Sequence, residues 1–152
     1  MLTTIASEKI TTKANPEWVW TVLSDPYYFT CWYGMQPETS WQINSEICLS
    51  LGPNMKAFDT IGVITKYTPL SCLGFKVYIP SIFHPNTPEH QVEIVFHVMS
   101  LKKKVEVLLE VTASQQWNET SGLKPNHWKT LLRSLKKTIE DPYLLNQAQT
   151  NT

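Results

Sequence analysis

The chain carries no excess charge of either sign. With 13 basic and 13 acidic residues among 152, it has no net field to hold a polyanion or an anionic membrane by long-range attraction, so nucleic acid is not an expected partner. Cysteine is scarce as well. Cys31, Cys48 and Cys72 are odd in number and have no C-x-x-C spacing, which argues against a disulfide framework and fits three reduced, structural thiols. No segment approaches the roughly 20 apolar residues needed to cross a bilayer, and Met1 to Ile10 contains no uninterrupted apolar stretch. Membrane insertion is therefore not expected, and a soluble, cytoplasmic protein is. The phosphate cradles G-x-G-x-x-G and G-x-x-x-x-G-K are absent, as are G-x-S-x-G and any recognisable Ser, His and acid signature. No cofactor is implied.

What is present is an aromatic-rich pattern of a single domain spanning residues 1–152. A chain of this length buries roughly 70% of the surface that its unfolded form exposes, so one core suffices without staples. Six tryptophans and six tyrosines either fill that core or line a pocket. Residues 3–14 read as a first strand. Asn15-Pro16-Glu17 and then Ser24-Asp25-Pro26 each supply an N-cap and a proline at the first helical position, giving two short helices, the second ended by Gly34. Trp41-Gln42-Ile43 and Ile47-Cys48-Leu49 flank Asn44-Ser45-Glu46 as a hairpin. Four strands then alternate cleanly. Their apolar faces are Ile61, Val63, Thr65 and Tyr67; Leu73, Phe75, Val77 and Ile79; Val92, Ile94, Phe96 and Val98; and Val105, Val107, Leu109 and Val111. Such alternation belongs to an antiparallel sheet with one covered face. Over residues 124–145, Trp128, Leu131, Leu132, Leu135 and Ile139 fall at helical spacing behind Lys124-Pro125-Asn126, predicting one long closing helix whose stripe lies across that sheet.

The residues point to binding more than to catalysis. His84 and His90 beside Glu89 lack the spacing and ligand number of a zinc site. His97 falls on the polar face of its strand and reads as solvent-facing, while His127 stands in the first turn of the last helix, where it can line a pocket mouth. Glu93, Glu106 and Glu110 lie on the outer face, away from any dry cleft in which a pKa could be tuned. Tyr67 is the best inward polar handle, although a backbone-bonded core tyrosine would look the same. The cations Lys129, Arg133, Lys136 and Lys137 are what any solvated helix face shows.

Strand, two short helices, six strands and a terminal helix resemble the α+β helix-grip fold of the START and polyketide-cyclase (SRPBCC) superfamily, a curved antiparallel sheet wrapped around a long C-terminal helix. The motifs narrow this. Ala14-Asn15-Pro16-Glu17-Trp18-Val19-Trp20 with Leu23-Ser24-Asp25-Pro26, then Trp32-Tyr33-Gly34, Gly62-Val63-Ile64 with Tyr67-Thr68-Pro69, and Trp128 with Leu131, Leu132 and Leu135 resemble the branch named for the C-terminal domain of the activator of the 90-kDa heat-shock protein ATPase. The chain departs from that pattern at Asn44-Ser45, where a Gly-Gly pair is usual, and in a lengthened Ser81–Glu89 loop. The resemblance implies a cavity between the last helix and the sheet that binds a small apolar or aromatic molecule. The expected ligand-binding residues are Trp32, Tyr67, Phe75, Val77, Ile94, Phe96, Trp128, Leu131, Leu132 and Leu135, with no catalytic residue and no metal. A cyclase- or dehydratase-like enzyme using the same cavity is a second reading and would need an inward titratable group. A chaperone-associated module binding a protein partner or a second copy of the chain is a third, with a patch on the outer sheet face or at Tyr27, Tyr28 and Tyr33.

Overall fold

The computed structural model describes residues 2–52, 59–78, 87–124 and 126–150. Strand β1 (Leu2–Thr12) runs into helices α1 (Pro16–Ser24) and α2 (Pro26–Tyr33). Both helices start as their caps dictate: the Asn15 carboxamide accepts from the Trp18 amide at 2.8 Å, and the Asp25 carboxylate accepts from the Tyr27 amide at 2.9 Å. Gly34 closes α2 at φ 88°, the left-handed conformation that glycine adopts without a Cβ penalty.

Strands β2 (Gln36–Thr39), β3 (Glu46–Ser50), β4 (Thr60–Thr68), β5 (Cys72–Tyr78), β6 (Val92–Ser100) and β7 (Val105–Ser114) complete a seven-stranded antiparallel sheet in the order β1-β7-β6-β5-β4-β3-β2. Here the structure moves the early hairpin. Trp41 to Ile43 are not a strand, and β2 lies upstream as a four-residue edge containing Pro37, a residue such an edge tolerates because one side of it has no ladder partner.

A second correction concerns β4. The sequence expectation placed Ile61, Val63, Thr65 and Tyr67 on one inward face. A bulge between Ile64 and Lys66 inserts one extra residue, and side-chain direction reverses across it. Tyr67 and Ile64 point inward, opposite Leu73 and Phe75, whereas Ile61 and Val63 face out, opposite Tyr78 and Lys76. Thr65 is the extra residue, its hydroxyl buried and without a hydrogen-bond partner among the described residues. The expected alternation holds in β5 for Leu73, Phe75 and Val77, and throughout β6 and β7. Ile79 and His84 lie outside the described residues.

The closing segment is also divided. Helix α3 (Gln115–Thr120) precedes α4 (His127–Ile139), and α5 (Pro142–Thr150) follows, where a single helix over 124–145 was expected. The interruption repeats the Asp-Pro start of α2: the Asp141 carboxylate accepts from the Tyr143 amide at 2.9 Å, and Pro142 opens α5. Helix α4 buries Trp128, Leu132, Leu135 and Ile139 in the same core cluster as the inward strand residues. Two ties fix its C-terminal end. The Trp18 indole donates to the Ile139 carbonyl at 2.8 Å, and the Thr12 hydroxyl donates to Glu140 at 2.8 Å.

Candidate functional site

The space between α4 and the sheet is occupied by the protein's own side chains. Trp32 meets Phe96 edge-on with ring centroids 5.3 Å apart, and Phe29 links them to Phe75 at 6.2 Å. The Trp32 indole is satisfied by the Val22 carbonyl at 2.8 Å, so even its polar atom is committed to the fold. Of the ten residues proposed to line a ligand site, Trp32, Phe75, Val77, Ile94, Phe96, Leu132 and Leu135 are at most 3% exposed and lie together in the core. Leu131 is half-buried at its edge. Trp128 is buried in the same cluster, at the N-terminal end of α4. Tyr67 also stands at the periphery, where its ring lies between Trp20 at 5.6 Å and Trp41 at 5.9 Å, and its hydroxyl makes no hydrogen bond among the described residues.

Tyr33, expected with Tyr27 and Tyr28 on an interaction patch, is half-buried and, like Tyr67, turned toward the core. Its ring stacks on Phe29 at 4.8 Å and meets Phe75 at 6.1 Å. Burial holds the Tyr33 phenol well above its ordinary range, because ionisation would place a charge among apolar rings. At neutral pH this group can donate a hydrogen bond but cannot accept a proton as a base.

Two of the concavities among the described residues lie elsewhere. One, of about 360 Å³, lies at the N-terminal end of α4, where Trp117 and Trp128 face each other at 6.4 Å beside Ile5 and Lys124. His127 packs edge-on against Trp128 at 4.7 Å, and burial lowers its imidazole pKa. The larger, of about 940 Å³, is a groove crossing β2 to β5. Its floor includes the outward-turned Ile61 and Val63, 37% and 39% exposed, together with Tyr78 and Cys48, and its rim carries Glu38, Glu46 and Lys76. Close strand approach shapes this floor: a Cβ on Gly62 would lie 1.9 Å from the Lys76 carbonyl oxygen, so only glycine fits. Val77 is the sole member of the proposed ligand set that lines this groove among the described residues. Apolar periodicity could not reveal the groove, because the bulge that exposes Ile61 and Val63 leaves no composition signal.

Among the described residues no cluster of His, Cys, Asp and Glu is arranged to hold a metal ion. His90 is instead engaged with the Thr87 hydroxyl at 3.0 Å. No helix of the described residues is long and apolar enough to cross a membrane.

Comparison with known proteins agrees with this architecture. A protein of Cytophaga hutchinsonii is 25% identical and superposes with a TM-score of 0.70, covering 98% of this chain and 97% of its own. A protein of Mesorhizobium loti matches with a TM-score of 0.70 at 11% identity, over 90% of this chain and 98% of its own. The Aha1 dimer of Colwellia psychrerythraea matches with a TM-score of 0.65 at 21% identity, over 89% and 95%. No curated protein sequence matches the chain. The profile described as Activator of Hsp90 ATPase homolog 1-like protein matches residues 13–140, which span α1 to α4 and β2 to β7, and the chain belongs to that family.

Proposed function

We propose that the protein is a non-catalytic binding module that takes a small apolar or aromatic molecule in the groove on the outer face of β2 to β5. One observation carries this reading: the bulge at Thr65 turns Ile61 and Val63 out of the core and leaves them on the floor of a concavity of about 940 Å³. That volume lies within the range of small-molecule sites, which is about 300 to 1,000 Å³. Charged and polar residues at the rim, Glu38, Glu46 and Lys76, would orient a ligand whose apolar body covers Ile61, Val63 and Tyr78. Burial of apolar area at about 25 cal/mol per Å² supplies the affinity, less the cost of association.

The site first expected, beneath α4, is the competing location for the same ligand class. A molecule there would have to displace Trp32, Phe96 or Leu135 from close packing, at a cost in cavity and contact energy that the open groove does not impose. Native mass spectrometry of the purified protein beside a denatured control tests the proposal and separates the two locations. A bound mass that disappears on unfolding is expected, and Val63→Asp should remove it without unfolding the chain, since a residue 39% exposed contributes little to the core. Retention of that mass by folded Val63→Asp, with loss in Leu135→Arg, would place the ligand inside instead.

A protein partner is the second reading, and the same exposed Ile61 and Val63 favour it. The Colwellia psychrerythraea relative is described as a dimer. Strand β2, short and containing Pro37, is a poor edge for strand addition, so a second copy would meet this chain by the groove face. Sedimentation of the native protein and of Val63→Asp distinguishes self-association through this face from small-molecule binding.

A further inference from the structure

The outer sheet face brings together a thiol, an imidazole and a carboxylate from three neighbouring strands. Cys72 on β5 lies directly across from His97 on β6, and Glu110 on β7 lies diagonally beyond it, opposite Val95. The Cys72 sulfur is 3.8 Å from His97 Nδ1, and His97 Nε2 is 2.9 Å from Glu110 Oε1. The hydrogen-bonding capacity of these groups fixes the tautomer. An ionised carboxylate only accepts, so a neutral ring must carry its proton on Nε2 to bond Glu110, which leaves the Nδ1 lone pair facing the Cys72 thiol. Nucleophile, base and orienting acid are thereby in order on a rigid sheet, with the imidazole and carboxylate side chains each 41% exposed and the thiol half-buried.

The other two thiols have different surroundings. Cys31 donates to the Tyr27 carbonyl of its own helix at 3.4 Å, and Cys48 donates to Asp59 at 3.7 Å with Glu38 nearby. Neither bonds an imidazole among the described residues. Among the described residues the Cys72 cluster is not arranged to hold a metal ion.

We propose that Cys72 is a site of reversible mixed-disulfide formation with small neutral or cationic disulfides, with His97 as its general base and Glu110 as the residue that orients the ring. In the step, the thiol proton passes to His97 Nδ1 as the Cys72 sulfur attacks one sulfur of the incoming disulfide. The S–S bond breaks, and its electron pair leaves on the second sulfur, which takes the proton back from the imidazolium and departs as a free thiol. Cys72 is oxidised to the mixed disulfide and the incoming disulfide is reduced, so no further reagent is needed. Charge sets the preference for the co-reactant. Lys66 from β4 faces the thiol with Glu93 from β6 and Glu110 from β7, and two carboxylates against one cation disfavour anionic disulfides. Burial raises the Cys72 thiol, so little thiolate rests there and base assistance is what makes the group reactive.

The test uses the full chain carrying Cys31→Ser and Cys48→Ser, so that Cys72 is its one thiol. Its reaction with a neutral dithiodipyridine is followed by absorbance from acid to alkaline pH. His97→Gln should change the pH dependence of the rate and lower the neutral-pH rate about tenfold or more, a modest share of what general base catalysis contributes. Glu110→Gln should lower the rate less and shift the profile, because a carboxamide can bond either tautomer. Cystamine should react faster than the anionic glutathione disulfide. Equal rates with and without His97 in folded protein, as judged by circular dichroism, would overturn the proposal. So would a Cys72 that reacts only after denaturation. Equal rates of the unfolded chains supply the control for intrinsic thiol chemistry.

Discussion

Phe96→Ala asks whether the space beneath α4 is a core or a binding site. Phe96 is fully buried on β6, flanked by Leu73 on β5 and Leu109 on β7, with Trp32 standing edge-on 5.3 Å away. Removing the ring deletes its transfer free energy and leaves a hole that rigid strands on both sides cannot close, so the expected loss is about 3 to 5 kcal/mol. For a chain of this size each kcal/mol shifts the melting temperature by about 2 to 4 °C, giving a fall of about 6 to 20 °C. The hole is apolar and suits a benzene-sized molecule, which at a hundred times its dissociation constant should restore about 2.7 kcal/mol. Thermal and urea unfolding, with and without benzene, measure both quantities. A loss below about 1 kcal/mol would mean that Phe96 already borders free space. The case for placing the ligand in the outer groove would then fail, and the interior would return as the binding site.

Three further outcomes follow from particular contacts. Trp18→Phe should cost about 1 to 3 kcal/mol more than Trp20→Phe in urea unfolding, because Trp18 bonds the buried Ile139 carbonyl and its loss leaves that oxygen unpaired, whereas no hydrogen bond of the Trp20 indole appears among the described residues. Gly62→Ala should destabilise by more than about 2 kcal/mol and broaden the amide spectrum of β4 and β5, since the added methyl meets the Lys76 backbone rather than a movable side chain. Burial lowers the His127 pKa in the folded state, so the unfolded chain binds more protons between the folded and unfolded values. Stability should be full above the unfolded value near 6.5 and be lost as pH falls toward the folded one, and His127→Gln should flatten that part of the melting-temperature profile.

Much of the fold was written in local signals. Asn15-Pro16 and Asp25-Pro26 start α1 and α2 because capping and a fixed proline φ act within three or four residues, and Gly34 stops α2 for the same local reason. The same signal stands at Asp141-Pro142, just past the apolar stripe of Trp128 to Ile139, and it is where α4 gives way to α5. Alternation in β6 and β7 predicted which face each residue takes, since nothing interrupts the period of two. The motifs at residues 14–34, 62–69 and 128–135 likewise pointed to the family to which the chain belongs.

Tertiary structure decided what lies across strands. One bulged residue in β4 exchanges the two faces of the strand, and its placement depends on pairing with β5 rather than on the residues of β4, so Ile61 and Val63 became a groove floor against their expected burial. Tyr33 turned inward because α2 packs on the sheet, a long-range contact that helical spacing does not specify. Cys72, His97 and Glu110 each read as unremarkable alone, 25 and 13 residues apart along the chain. Antiparallel register sets them side by side, because neighbouring strands lie about 4.8 Å apart whatever the length of chain between them.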